Sequence, residues 1–207
     1  QGFWLPDLQV MGARSSDGSV KGFYVAAKGG HNAESHNHND VGNFIVYHDG
    51  YPVIIDAGVE TYTARTFGKD RYSIWTMQSA FHNLPTINGV MQKEGREYSA
   101  SNVRYTSDDE MALFSVDISQ AYPQEAKAKV WERRVQLNRG KDVVITDRYE
   151  LEEIRQPLMV SLITACTPTD DKKGTIHLRP GGDQNKGQPI SISYDKDRFS
   201  AGIETIP

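Results

Sequence analysis

The sequence predicts an all-β fold, an antiparallel β-sandwich of stacked large sheets with one short helix near residues 70–81. Three observations predict it. Apolar residues recur mainly at every second position, the period of half-buried strands. His48-Asp49-Gly50-Tyr51 and Asn138-Arg139-Gly140-Lys141 put glycine where a tight hairpin needs positive φ, so sequential strands should pair antiparallel. Finally, 207 residues and 23.2 kDa suffice to bury a core as a single domain, 1–207, with no metal needed to hold it together.

The expected strands are residues 21–27, 43–48, 52–56, 111–117, 129–137, 142–151, 158–164 and 190–194. Within 142–151, Val143, Ile145, Tyr149 and Leu151 form an apolar face, while Val144, Thr146, Arg148 and Glu150 point the other way. The helix is expected where Tyr72, Trp75, Met77 and Ser79 precede His82-Asn83, and Pro85 prevents its continuation. Residues 170–173 and 180–188 are polar and glycine-rich and read as solvated loops, and the charges in 127–134 read as the exposed face of a strand.

Composition excludes some functions. A net charge of −4 and a pI near 5.9 argue against a general nucleic-acid binder, which needs a basic face for phosphates. Cys166 stands alone, so no internal disulfide forms, and its apolar neighbours suggest a small core group. No run approaches the ~20 apolar residues of a membrane-spanning helix.

Chemistry concentrates in Ser35-His36-Asn37-His38-Asn39-Asp40-Val41-Gly42-Asn43, then Asp56-Ala57-Gly58, then Phe81-His82-Asn83. Imidazole with carboxylate suits zinc, copper, iron or nickel, and His-x-His on an extended segment would put both rings on one side. His38 precedes one strand of the 43–56 hairpin and Asp56 ends the other, so pairing through Asp49-Gly50 should bring them together. His82 could complete a set of two imidazoles and one carboxylate, with a position left for water or another ligand. Zinc fits best among metals that sequence alone does not separate. Asp40 could instead be a ligand, or an acceptor that orients a histidine. His31, His48 and His177 stand apart and read as surface or hydrogen-bonding residues. A metallo-β-lactamase-type His-x-His-x-Asp-His motif is broken by Val41. A cupin-type site needs a Glu soon after the histidines, and none comes before Glu60.

The ordered set 35–44, 50–58 and 79–83, with Asn88-Gly89, resembles the C-terminal β-domain of heparinase II/III-like polysaccharide lyases, a group that includes heparin, heparan sulfate and alginate lyases. Specific motifs cover about 20–89; beyond that the likeness is a generic β pattern. The resemblance implies an N-terminal α/α toroid, absent from these 207 residues, and a substrate cleft between the two parts. The expectation is therefore the C-terminal piece of a longer chain, inactive by itself, acting on an acidic polysaccharide and periplasmic or secreted in a bacterium. His38, Asp56 and His82 would hold a structural Zn2+, and His36 would face the substrate with Tyr72 near it. Such lyases remove the C5 proton of a uronic acid, for which a side chain titrating near neutrality is suited. Arg65, Lys69, Arg71, Tyr72 and Trp75 could line a sugar subsite, with arginines binding carboxylate or sulfate. The alternatives are a non-catalytic carbohydrate-binding or structural β-domain and a cupin-like metal enzyme.

Overall fold

The computed structural model describes residues 1–181 and 187–206. In chain order its strands are β1 (Gly2–Leu5), β2 (Val10–Arg14), β3 (Phe23–Lys28), β4 (His31–Asn32), β5 (Phe44–His48), β6 (Tyr51–Ile54), β7 (Pro85–Thr86), β8 (Gly95–Ser99), β9 (Ser101–Ser107), β10 (Met111–Asp117), β11 (Ala128–Asn138), β12 (Asp142–Leu151), β13 (Met159–Val160), β14 (Thr167–Asp170), β15 (Thr175–Arg179) and β16 (Ile190–Ser193). Two large antiparallel sheets, β1-β2-β3-β5-β6 and β12-β11-β10-β9, form the sandwich, and β13-β7, β14-β15-β16 and β4-β8 are small additions.

Alternation produces the packing. In β10, Ala112, Phe114 and Val116 are fully buried while their neighbours are only half-buried. In the other sheet, Met11, Ala13, Val25, Ala27, Phe44 and Val46 point into the same core, which Cys166 joins. Trp4 of β1 bridges the layers, with ring centroids 5.6 Å from Tyr105 and 6.1 Å from Phe114. At the β5–β6 hairpin both Asp49 (φ 51°) and Gly50 (φ 81°) are left-handed, the requirement of a two-residue turn matching strand twist.

Several elements differ from expectation. β1, β2, β8, β9, β14 and β15 were not legible as strands. β2, for instance, buries Met11, Gly12 and Ala13 in succession and shows no alternation. Residues 158–164 make only the two-residue β13, paired with β7. The rest of that segment runs beside β6, with Ile55 N–H donating to the Ile163 carbonyl at 2.9 Å. Of the expected loop 180–188, residues 182–186 lie outside the described residues.

The stretch near 70–81 is helical only as separate 3-10 turns, Arg71–Ser73, Trp75–Met77 and Ser79–Phe81, preceded by Ala64–Phe67. Ile74 and Gln78 between them are extended (ψ 127° and 138°), so the turns do not fuse. The backbone acceptors are engaged elsewhere: the Tyr72 carbonyl accepts from Gln78 Nε2 at 2.9 Å and the Met77 carbonyl from Asn39 N–H at 3.0 Å. A regular helix would need those carbonyls for its own i+4 bonds.

The charges of 127–134 divide between two environments. Arg134 is exposed, but Arg133 is completely buried among Trp131, Val135 and Leu137. The strand alternation requires this, because Arg133 occupies the same inward face as those three apolar residues.

Candidate metal centre

His38, Asp56 and His82 converge, with one potential ligand atom from each lying within 4.8 Å of the others. The hairpin supplies part of the reason. β5 and β6 pair as far as Val46 and Ile54, and beyond that point side chains replace the ladder. Asn43 Nδ2 donates to Asp56 Oδ2 at 2.8 Å, and Asn83 Nδ2 donates to the Phe44 carbonyl at 2.7 Å and the Ile55 carbonyl at 2.9 Å. Asn83 Oδ1 accepts from Ile163 N–H at 2.7 Å, and Asn43 Oδ1 from Asn83 N–H at 3.0 Å. This amide network fixes Asp56 and His82 at the open end of the hairpin.

The donor set suits a divalent cation. His82 is fully buried; Nδ1 lies 3.0 Å from Asp56 Oδ2, and Nε2 has no protein hydrogen-bond partner. A buried imidazole nitrogen without a partner is costly and is a natural place for a metal. The His38 ring lies 5.4 Å from the His82 ring. Burial, reinforced by the neighbouring His82, holds the His38 pKa below the ordinary imidazole value and favours the neutral, ligating form. Burial pushes the Asp56 carboxyl up, but the His82 hydrogen bond and charge and the Gly58 amide outweigh it and hold the group below the usual carboxylate value. Neutral imidazole and ionised carboxylate are the protonation states metal binding requires.

The loop carrying the histidines is clamped from several sides. Arg71 Nε and Nη2 donate to the Asn37 carbonyl at 3.0 and 2.9 Å, and Nη1 to the Thr66 carbonyl at 2.7 Å. Gln92 grips Val41 through both of its backbone groups, at 3.0 and 2.8 Å. Asp40 pairs with Lys28 at 2.7 Å and lies outside the three-residue group. Val41 is a core residue, and Glu60 is exposed and also outside the group.

His36 and His38 do not share one face of an extended segment. His36 is left-handed (φ 56°), so its ring turns outward and stacks on Tyr62 at 6.2 Å, whereas His38 turns toward His82. Phe67 meets the exposed Tyr62 edge-on at 5.5 Å, which extends an aromatic surface beside His36. Tyr72 reaches the same loop, its hydroxyl oxygen accepting from Asn37 Nδ2 at 3.1 Å. The other expected subsite residues lie around this core: Arg65 is exposed and donates to Ser73, and Trp75 packs edge-on against Phe81 at 5.3 Å. Sequence reasoning missed Tyr62, Gln92 and the supporting role of Arg71. Their contacts connect positions distant in sequence, and no local signal announces them.

A family profile described as heparinase II/III-like, C-terminal, matches residues 13–198. The chain belongs to the heparinase II/III-like family. Its fold is similar to that of heparan sulfate lyase HepC from Pedobacter heparinus, at 19% identity and TM-score 0.66, with 86% of this chain and 27% of that one covered. A heparinase III structure gives 18% identity and TM-score 0.63, again over 86% of this chain and 27% of the other. The chain thus spans about a quarter of the length of these heparinase II/III-like structures. No curated protein sequence matches it.

Proposed function

We propose that this chain is the C-terminal β-domain of a polysaccharide lyase that cleaves a uronic-acid-containing acidic polysaccharide, heparin-like, heparan sulfate-like or alginate-like, by β-elimination. The observation carrying this reading is the convergence of His38, Asp56 and His82 two residues from the outward-facing His36, in a chain of this family. His38, Asp56 and His82 would hold Zn2+, which supplies a structural cross-link between the histidine loop and the hairpin. The protein's own groups address the sugar. His36 takes the C5 proton or neutralises the adjacent carboxylate. Asn37 donates to the Tyr72 oxygen, which leaves the phenol proton free to pass to the departing glycosidic oxygen. Arg65, Arg71 and Trp75 flank this surface as substrate-side residues, Arg71 chiefly by holding the Asn37 carbonyl. An N-terminal α/α toroid on the parent chain would form the opposite wall of the cleft and complete the acid–base set, in a periplasmic or secreted bacterial enzyme.

The test is to mix the full-length parent and this 207-residue chain separately with heparin, heparan sulfate and alginate, and to follow the ultraviolet absorbance of unsaturated uronate. Signal from the parent alone is the expected result. Saccharide binding by the parent with no unsaturated product on any uronate polymer would refute the lyase reading in favour of a binding domain.

A further inference from the structure

Arg133 is the one fully buried charged side chain among the described residues, and the fold alone gives no need for it. It lies directly opposite Asp147 in the β11–β12 register, within the stretch from Val130 to Asn138 where continuous pairing already holds the two strands. The pair is bidentate: Arg133 Nε to Asp147 Oδ1 at 2.8 Å, and Nη2 to Oδ2 at 2.6 Å. Burying two charges is expensive, and a pair of apolar residues of similar volume commonly serves stability as well or better. Burial opposes the charge on Arg133, yet the Asp147 carboxylate more than compensates and the guanidinium stays ionised.

The remaining nitrogen shows what the charge accomplishes. Arg133 Nη1 leaves its own sheet for the loops that precede β5 and β7, donating to the Asn83 carbonyl at 2.5 Å, with the Gly42 carbonyl 3.4 Å away. Its guanidinium carbon lies 5.7 Å from the Phe44 ring centroid, above the start of β5. Asn83 follows His82 directly, and Gly42 precedes Asn43, the residue that holds Asp56. One guanidinium therefore grips both loops of the candidate metal centre from behind, while Asp147 fixes its orientation.

We propose that Arg133, seated by Asp147, is a positioning residue that places the His82 loop and the 38–43 loop for metal binding. This rests on the metal-site reading above. A planar guanidinium can serve the carboxylate with two nitrogens and the loops with the third, which an ammonium cannot do. Partners of this kind behind metal ligands typically alter affinity by about 10–100-fold.

The test compares the parent chain, Arg133→Met/Asp147→Leu, and Arg133→Lys. The double variant leaves no orphaned charge and keeps the side-chain volume between the strands, so it is expected to fold, although the Asn83 carbonyl loses its donor. Three quantities are read: thermal midpoint of the metal-free protein, Zn2+ dissociation constant by chelator competition, and amide hydrogen exchange across residues 38–43 and 82–84 without metal. Expected for the double variant are a midpoint within about 5 °C of the parental one, the apolar pair offsetting the Asn83 carbonyl that loses its donor, Zn2+ binding weakened about 10–100-fold, and faster exchange confined to those two loops. Arg133→Lys should restore little of either loss. Parental Zn2+ affinity and exchange in the double variant would overturn the proposal, as would a lowered midpoint with exchange raised everywhere. If the parent takes up no Zn2+ yet the double variant exchanges faster at the two loops, the metal reading fails and the loop-positioning role stands.

Discussion

Asn83→Ala isolates the amide network that replaces the end of the β5–β6 ladder. The Asn83 side chain is fully buried and serves three backbone groups, the carbonyls of Phe44 and Ile55 and the amide of Ile163, at 2.7, 2.9 and 2.7 Å. Truncation orphans all three. Each unsatisfied buried polar group costs about 1–3 kcal/mol, and the Ile55 and Ile163 groups, nearer solvent, belong at the lower end. The loss should be about 3–6 kcal/mol, a large share of the roughly 5–15 kcal/mol that holds a domain together. Urea unfolding of metal-free protein measures it. Asn83→Asp should be no better, because it keeps the acceptor for Ile163 but sets a carboxylate against two carbonyls. A loss below about 1 kcal/mol would refute the argument, since it would mean that water or backbone movement satisfies the freed groups.

Three further outcomes follow from the site. His82→Ala removes a ligand outright and should weaken Zn2+ binding by more than the ~100-fold upper range of a supporting residue; full metal content after dialysis would remove His82 from the site. His36→Gly removes the imidazole while suiting the left-handed backbone at φ 56°, so stability should hold or rise by up to about 1 kcal/mol, as turnover of the full-length enzyme collapses. Unchanged turnover on every uronate polymer would end its proposed catalytic role. Gly42→Ala forces a side chain onto φ +85° with its Cβ 2.6 Å from Ile118 Cγ2, and should cost at least about 1–2 kcal/mol by denaturant titration; a smaller loss would show that Ile118 and the loop yield easily.

Much of the site was legible because its parts are local. Asp49-Gly50 fixes a two-residue turn, the turn sets the pairing of Tyr47 with Pro52, and the antiparallel hairpin, despite a one-residue shift before Val46–Ile54, returns Asp56 toward the start of β5 beside the His38 loop. The Arg133–Asp147 pair is legible by the same logic. Asp147 interrupts the apolar face of Val143, Ile145 and Tyr149, and the Asn138–Asp142 pairing places it opposite an arginine that interrupts Trp131, Val135 and Leu137. Opposite charges at matched inward positions of one hairpin are a sequence-level sign of a buried pair. The helix near 70–81 was less legible, because whether a carbonyl bonds within its own segment depends on outside competitors such as Asn39 N–H and Gln78 Nε2.

The sequence by itself determined the all-β class, the hairpins, the alternating core faces and the return of Asp56 toward the His38 loop, since these follow from periodicity, turn chemistry and short-range register; His82 was a candidate that packing brings beside them. Tertiary structure alone decided that His36 and His38 face different ways, that Arg71 and Gln92 clamp their loop, and that Arg133 reaches it from the opposite sheet. Those contacts join positions 26 to 91 residues apart, and only packing of the layers selects which groups meet.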